Sequence, residues 1–402
     1  DVRQPEFAPL APITEPRDTT VYGLEAENVW LGWRFDRGNS LQIDTLEMIG
    51  AMLNNGTAGL IDLDINQQMA MLYAWGGSST NRDYSSFILG GSPRPGQSLE
   101  EAKDLLLGEI DKLKKGDFSD DLIPSVVNNM KLNHYNSLES NYARADKFVN
   151  SFILERTWKQ EVEYLDRISG MNKDQIVAFA NRHFRDNYVV IYKRQGEDKG
   201  LKKIDKPQIT PIPTNRDLVS DFVTEIQNSE VKPIEPRFAD FQKDLTFGTT
   251  EANLPYIYVE NKENGRFILN FRYEFGNEAD LRYNYAADVL DYLGTEDMTN
   301  EEIKQQFYKL ACDYSIRVGD RNINVILRGL GENMGEALAL LENVMQNAEP
   351  DADVFEMAIQ MLEKSRLDAK HNQRQNFNAL VQYGIYGQYN PTRNIISTND
   401  LR

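Results

Sequence analysis

Phe87-Ile88-Leu89-Gly90-Gly91, followed by Leu99-Glu100-Glu101-Ala102-Lys103-Asp104-Leu105-Leu106, decides the fold, because the same pattern returns late in the chain. There it reads Val325-Ile326-Leu327-Arg328-Gly329, then Met334-Gly335-Glu336-Ala337-Leu338-Ala339-Leu340-Leu341. Each copy opens with a short apolar run closed by glycine, which suits a buried strand. A segment with apolar residues at helical spacing follows. A second helix comes next in both, entered through Phe118-Ser119-Asp120-Asp121 in the first copy and through Pro350-Asp351-Ala352-Asp353-Val354-Phe355 in the second. The shared order implies two copies of one α+β unit.

Outward from the first copy, Thr19 to Phe35 alternate in the manner of a strand, with Val29, Leu31 and Trp33 on one side. Leu41 to Leu53 places Leu46, Ile49 and Leu53 at helical spacing. Met69 to Trp75 and Tyr84 to Gly90 read as a hairpin around Gly76-Gly77-Ser78-Ser79-Thr80-Asn81. Ser98 begins a capping box whose Glu101 can reach back to the Ser98 amide. Helical pattern fills Asn141 to Arg182, and Tyr188 to Tyr192 closes the unit as a buried strand.

The expected organisation is an extended lead-in over 1–16, a first domain over 17–194, a linker over 195–243 and a second domain over 244–402. The linker carries Pro207, Pro211, Pro213, Pro233 and Pro236, and its Leu218, Phe222, Ile226, Ile234 and Phe238 are expected to anchor it. Strands at Tyr256–Glu260 and Arg266–Phe275 are expected to pair around Asn261-Lys262-Glu263-Asn264-Gly265. The last residues, Ile395 to Arg402, open a helix cap, so the second copy is expected to stop before its final strand.

Forty-four basic against 62 acidic residues give a formal charge of −18, which repels phosphate backbones and anionic membrane surfaces. Nucleic acid is excluded as a partner on that ground. No apolar stretch is long enough to span a bilayer, and no membrane contact is expected of this segment. The opening Asp1-Val2-Arg3-Gln4-Pro5 has neither an initiator Met nor a signal pattern, and is expected of an internal piece or a processed form. The single cysteine, Cys312, reads as a small buried residue at a helix-to-strand junction. His134, His183 and His371 contain no pair at ligand spacing, and no G-x-S-x-G occurs.

Several runs carry a resemblance. They are Glu25-Ala26-Glu27-Asn28-Val29, Pro95-Gly96-Gln97-Ser98-Leu99-Glu100-Glu101-Ala102, Lys114-Lys115-Gly116-Asp117-Phe118-Ser119, Gly294-Thr295 followed by Asn300-Glu301-Glu302-Ile303, and Gly329-Leu330-Gly331-Glu332-Asn333. In this order they resemble the pitrilysin/insulinase (inverzincin) zinc metallopeptidases, whose chains repeat one α+β domain. The resemblance implies the family's second, non-catalytic domain over 17–194 and its third, inactive domain over 244–402. It also implies an α+β fold of two tandem related domains of the LuxS/processing-peptidase type, each a mainly antiparallel sheet with helices on one face.

In the family's catalytic domain, zinc is held by both histidines of H-x-x-E-H and by a glutamate from a later helix. The matching helix here is Leu281 to Leu293. One alignment places the motif at Asp288-Val289-Leu290-Asp291-Tyr292, another at Tyr285 to Val289, and neither supplies a histidine. Asp288, Asp291 and Tyr292 are thus degenerate motif positions, and Glu363, on the helix Val354 to Lys370, is the nearest equivalent of the later glutamate. Two carboxylates could hold a hard cation such as calcium, but acids at this spacing are more often solvent-facing or paired with Lys or Arg.

No catalytic residue, metal or cofactor is therefore expected in this segment, and zinc is expected in the N-terminal domain of a longer chain. The implied function is the non-catalytic portion of a zinc-dependent endopeptidase, forming a chamber wall that confines peptide substrates. The alternative is a catalytically dead subunit or assembly scaffold of the same fold. Expected partners are peptides, acting through the full-length protein, and other domains of the same chain; a homodimer is left open. The resemblance leans towards a bacterial periplasm or cell envelope.

Overall fold

A computed structural model describes residues 8–402 except 201, 203, 204, 213 and 215; the first seven residues of the expected lead-in thus lie outside the described residues. One compact unit takes in the described residues of Asp1–Asp198 together with Asn264–Arg402, and a second is Lys199–Glu263.

In the first half, strand β1 (Arg17–Gly23) precedes β2 (Asn28–Phe35), helix α1 (Gln42–Leu53), a π-helical turn (Asp62–Gln67), and the hairpin β3 (Tyr73–Ser79) and β4 (Ser85–Ser92). The Gly76-Gly77-Ser78-Ser79 run expected as the turn lies within β3, because those residues pair with Phe87–Leu89 and their neighbours on β4. Helices α2 (Leu99–Lys115), α3 (Leu122–Leu138), α4 (Asn141–Ile153), α5 (Trp158–Val162), α6 (Tyr164–Ser169) and α7 (Lys173–His183) lead to β5 (Tyr188–Gln195). The capping box forms: Ser98 Oγ accepts from the Glu101 amide at 3.1 Å, and Glu101 accepts from the Ser98 amide at 2.8 Å.

The sheet runs β1-β5-β2-β4-β3, antiparallel except for β1 against β5. Val29, Leu31, Trp33 and Phe35 alternate on its buried face while Trp30 is exposed on the other, so the helices cover one face only. Phe184 meets Trp33 and Phe87 edge-to-face, with ring centroids 5.3 and 5.1 Å apart, and fixes the end of α7 on the sheet.

In the second unit, α8 (Asp221–Asn228) is capped by Ser220, and β6 (Thr246–Thr249) pairs antiparallel with β7 (Pro255–Tyr258). The anchors expected on the linker, Leu218, Phe222, Ile226, Ile234 and Phe238, are all exposed. The expected hairpin between β7 and the strand after it does not form. β7 pairs with β6, while β8 (Arg266–Tyr273) pairs with β10 (Ile323–Leu330).

The second half continues through α9 (Arg282–Leu290), α10 (Asn300–Lys309), β9 (Cys312–Val318), β10, α11 (Met334–Asn347), α12 (Ala352–Ala369), α13 (Gln373–Tyr386) and α14 (Thr398–Leu401). Its sheet runs β8-β10-β9, all antiparallel.

The duplication shows in the register. Leu31 faces Leu89 and Trp33 faces Phe87 across β2 and β4; Leu269 faces Leu327 and Phe271 faces Val325 across β8 and β10. Gly91 and Gly329 close their strands at matching places, opposite Val29 and Phe267. Each half has its own apolar core. One tyrosine crosses: Tyr308 of α10 packs in the first core, and its carbonyl accepts from Asn129 Nδ2 of α3 at 2.8 Å.

The copies differ at the outer side of their first strand. Trp33 and Phe35 are buried under Phe179, His183 and Phe184, whereas their counterparts Phe271 and Tyr273 are 39% and 44% exposed. Among the described residues no strand pairs with the outer edge of β8.

Candidate functional site

A cavity of about 660 Å³ opens within the larger unit, where the segment around the π-helical turn of the first half meets α9, β9 and α12 of the second. Ala287 and Asp288 come from α9, with Asp291 and Tyr292 just beyond its end. Lys304 and Phe307 come from α10, Asp313, Tyr314, Ser315 and Ile316 from β9, and Arg328 from β10. Met361, Leu362 and Ser365 of α12 close one side, and Met69, Met71 and Leu72 the other.

Met69 enters the left-handed region at φ 46, a strained position for a side chain other than glycine, and stands directly beyond the π-helical turn. Within that turn Asp62 accepts from the amides of Asn55, Gly56 and Gly59 at 2.7, 2.9 and 3.1 Å, which fixes the loop that carries Gly56 and Thr57 to the cavity.

The helix expected to run to Leu293 ends at Leu290. Asn300 Nδ2 donates to the carbonyls of Asp291 and Leu293 at 2.9 and 3.1 Å, so the segment just beyond the helix end is held by a donor from the next helix. Of Asp288, Asp291 and Tyr292, only Asp288 is helical, while Glu363 lies within α12. Asp291 is bonded to Lys304, whose ammonium also lies over the Tyr314 ring, 5.6 Å from its centroid. Across the strands Arg328 grips Asp313 through both Nε and Nη2, at 2.9 and 2.7 Å.

Asp288 faces the cavity with neither hydrogen bond nor ion pair among the described residues. Burial pushes its carboxyl up from the ordinary range, and the charge of Asp291 adds to this. The phenol of Tyr292 is pushed up by burial first and then by Asp291 and Asp288. Burial raises Tyr314 likewise.

Glu363 is not in this group. Ala358, Met361, Leu362 and Ser365 share the helix face that lines the cavity, and Glu363 points off that face towards Arg402, whose Nη1 lies 3.1 Å away. Thr398 and then Arg402 hold its carboxyl below the usual range.

None of the three histidines lines the cavity. Burial lowers both His183, whose ring lies tilted against Phe179 with centroids 4.4 Å apart, and His134. Zinc does not fit these residues: it needs three converging donors, yet Asp291 and Asp313 are each held by a cation and Glu363 is turned away. Among the described residues no group of three or more His, Cys, Asp or Glu side chains is placed to hold a metal. Cys312 is buried at the start of β9, its thiol pushed up to about 11 by burial, which makes it a poor nucleophile.

Sequence reasoning missed Lys304, Asp313, Ser315 and Arg328. The only signal for the Asp313–Arg328 pair is the register of β9 against β10, which places opposite charges directly across from one another.

β9 is an edge strand, with β10 as its one strand partner among the described residues. Asp313, Tyr314, Ser315 and Ile316 are consecutive and point alternately to the two faces of the sheet, yet all four line the cavity. Only the edge of a strand can be shared that way, so the unpaired edge of β9 borders the cavity.

The chain is similar to solved peptidase structures. One is the ferredoxin protease FusC, solved with Arabidopsis ferredoxin, at 9% identity over 100% of this chain and 48% of that one, TM-score 0.45. A second is the periplasmic protease PqqL from Escherichia coli, at 10% identity over 99% of this chain and 47% of that one, TM-score 0.39. A third is the peptidase M16 inactive domain from Pseudomonas fluorescens, at 12% identity over 47% of each chain, TM-score 0.39. The chain spans about half the length of the first two. No protein-family model matches it, and no curated protein matches it significantly by sequence. No helix among the described residues is long and apolar enough to cross a membrane.

Proposed function

We infer that this chain is the non-catalytic portion of a zinc-dependent endopeptidase, and that it forms a wall of the peptide-holding chamber. On this reading its domains are 17–194 and 244–402, joined by 195–243, and the zinc centre belongs to another part of the whole protein. The periplasm or cell envelope is its compartment.

The observation that carries the reading is the unpaired edge of β9 beside the cavity. An extended peptide can add to such an edge through main-chain hydrogen bonds, which are indifferent to sequence, while the cavity takes alternate side chains. Among the described residues that line the cavity, Asp291 and Asp313 are each paired with a cation, and the buried Cys312 is not in the lining, so the lining is suited to holding a chain. Holding without cutting is what a chamber wall does.

Hydrogen exchange tests this directly. With an unfolded, carboxymethylated protein added in excess, amides of β9 should exchange more slowly while those of β3, an edge strand of the five-stranded sheet, do not change. Unchanged exchange in β9 would exclude the edge as a peptide-binding surface.

A further inference from the structure

The charges of the cavity do not cancel. Lys304 answers Asp291 and Arg328 answers Asp313, which leaves Asp288 as the one cavity carboxylate without a cation among the described residues. Asp288 itself is exposed to solvent, and Ala287, Tyr292, Met361 and Leu362 share the lining beside it. A carboxylate so placed has no counter-charge in the empty cavity and can pair with a cation that a guest brings.

Three kinds of cation can be compared. A bare divalent ion needs several oxygen donors converging, and the other two carboxylates are already committed. A small free amine would leave most of the roughly 660 Å³ unfilled. A lysine or arginine side chain borne on an extended segment brings an apolar stem for Tyr292, Met361 and Leu362 and a charge for Asp288. The strand edge and Asp288 line the same cavity, so one guest can use both.

We propose that Asp288 is a specificity-determining residue, which makes this cavity select peptide segments that carry a basic side chain. The proposal rests on the reading of β9 as a peptide-binding edge.

The test uses the whole chain and two fluorescein-labelled peptides of the form Thr-Val-Thr-X-Thr-Val-Thr, with X either lysine or norleucine, titrated by fluorescence anisotropy. One exposed ion pair predicts that the lysine peptide binds about threefold more tightly, an advantage that shrinks as salt is added. Asp288→Asn should bring the lysine peptide to the norleucine level and leave the norleucine peptide unchanged. Continued shielding of Cys312 from a thiol reagent shows that the variant is folded. Equal binding of both peptides to the parent chain, or a preference that survives Asp288→Asn, overturns the proposal and leaves the edge reading standing. Failure of both peptides to bind overturns the two together.

Discussion

Replacing Glu109 by glutamine tests whether the first core carries a charge at its own expense. Glu109 lies on α2 and is 5% exposed, with Oε1 3.2 Å from Lys112 Nζ and Oε2 buried without a partner. Lys112 is shared, its ammonium 2.6 Å from Asp64 on the π-helical turn. Burial first, and then Asp64, push the Glu109 carboxyl from 4.5 to about 7, against the opposing pull of Lys112. Because the folded value is raised, the folded chain keeps a proton that the unfolded chain releases between pH 4.5 and about 7. The contribution to stability is whole below that window and is lost as pH rises through it.

The gap between 4.5 and about 7, at about 1.4 kcal/mol per pH unit, sets a ceiling of about 3 kcal/mol. E109Q cannot ionise, so at about pH 9 it should be more stable than the parent by about 2 kcal/mol. At about pH 5 it should be equal or slightly weaker, having given up the contact with Lys112. Trp30, Trp33, Trp75 and Trp158 are the only tryptophans and all lie in the first half, so urea unfolding followed by tryptophan emission reads this core. A variant weaker than the parent by the same margin at both pH values would refute the reasoning, since Lys112 would then hold Glu109 ionised throughout.

Two further outcomes follow from the packing. Arg167 Nε lies 2.6 Å from Asp44, whose side chain is 7% exposed, so Arg167→Ala strands a buried carboxylate and should cost about 3 kcal/mol in the same urea assay; a loss below about 1 kcal/mol would mean that water reaches Asp44. A Cβ on Gly329 would stand 2.5 Å from the Ala311 carbonyl oxygen and 2.4 Å from Cys312 Sγ, so Gly329→Ala should weaken the second core by about 2 kcal/mol. It should also speed the reaction of Cys312 with a thiol reagent at least tenfold, and an unchanged rate would show that the strand end shifts without opening.

Much of the fold was legible because local signals and global packing agree. Ser98 and Glu101 cap α2 as their spacing requires, and the alternation of Val29, Leu31 and Trp33 matches the buried face of β2. The expected β7–β8 hairpin failed where the two disagree. Asn261 to Gly265 has every residue a turn wants, yet strand pairing is settled by the whole sheet, and β8 takes β10 as β2 takes β4. The repeat that revealed the duplication already contained that answer. The end of α9 could not be read locally either, because no glycine or proline stands there and the stop comes from Asn300 and Lys304 on the next helix.

The cavity was the least legible part, for a reason visible in the two copies. Trp75 faces Gly90 in the first sheet, and at the matching pair in the second Asp313 faces Arg328. In the first copy Trp75 fills the space above Gly90, where a Cβ would come within 2.8 Å of its ring, and Trp30 packs edge-on against it at 5.3 Å. In the second copy the same two backbone positions carry a salt bridge that lines an open cavity. Backbone register has survived duplication while the side chains on it have been exchanged one for one, so a pattern that reports the register says nothing of what the register displays. On the proposed reading the peptide-binding strand edge is therefore expected in the second half, since the position that stays open there is filled by Trp75 in the first.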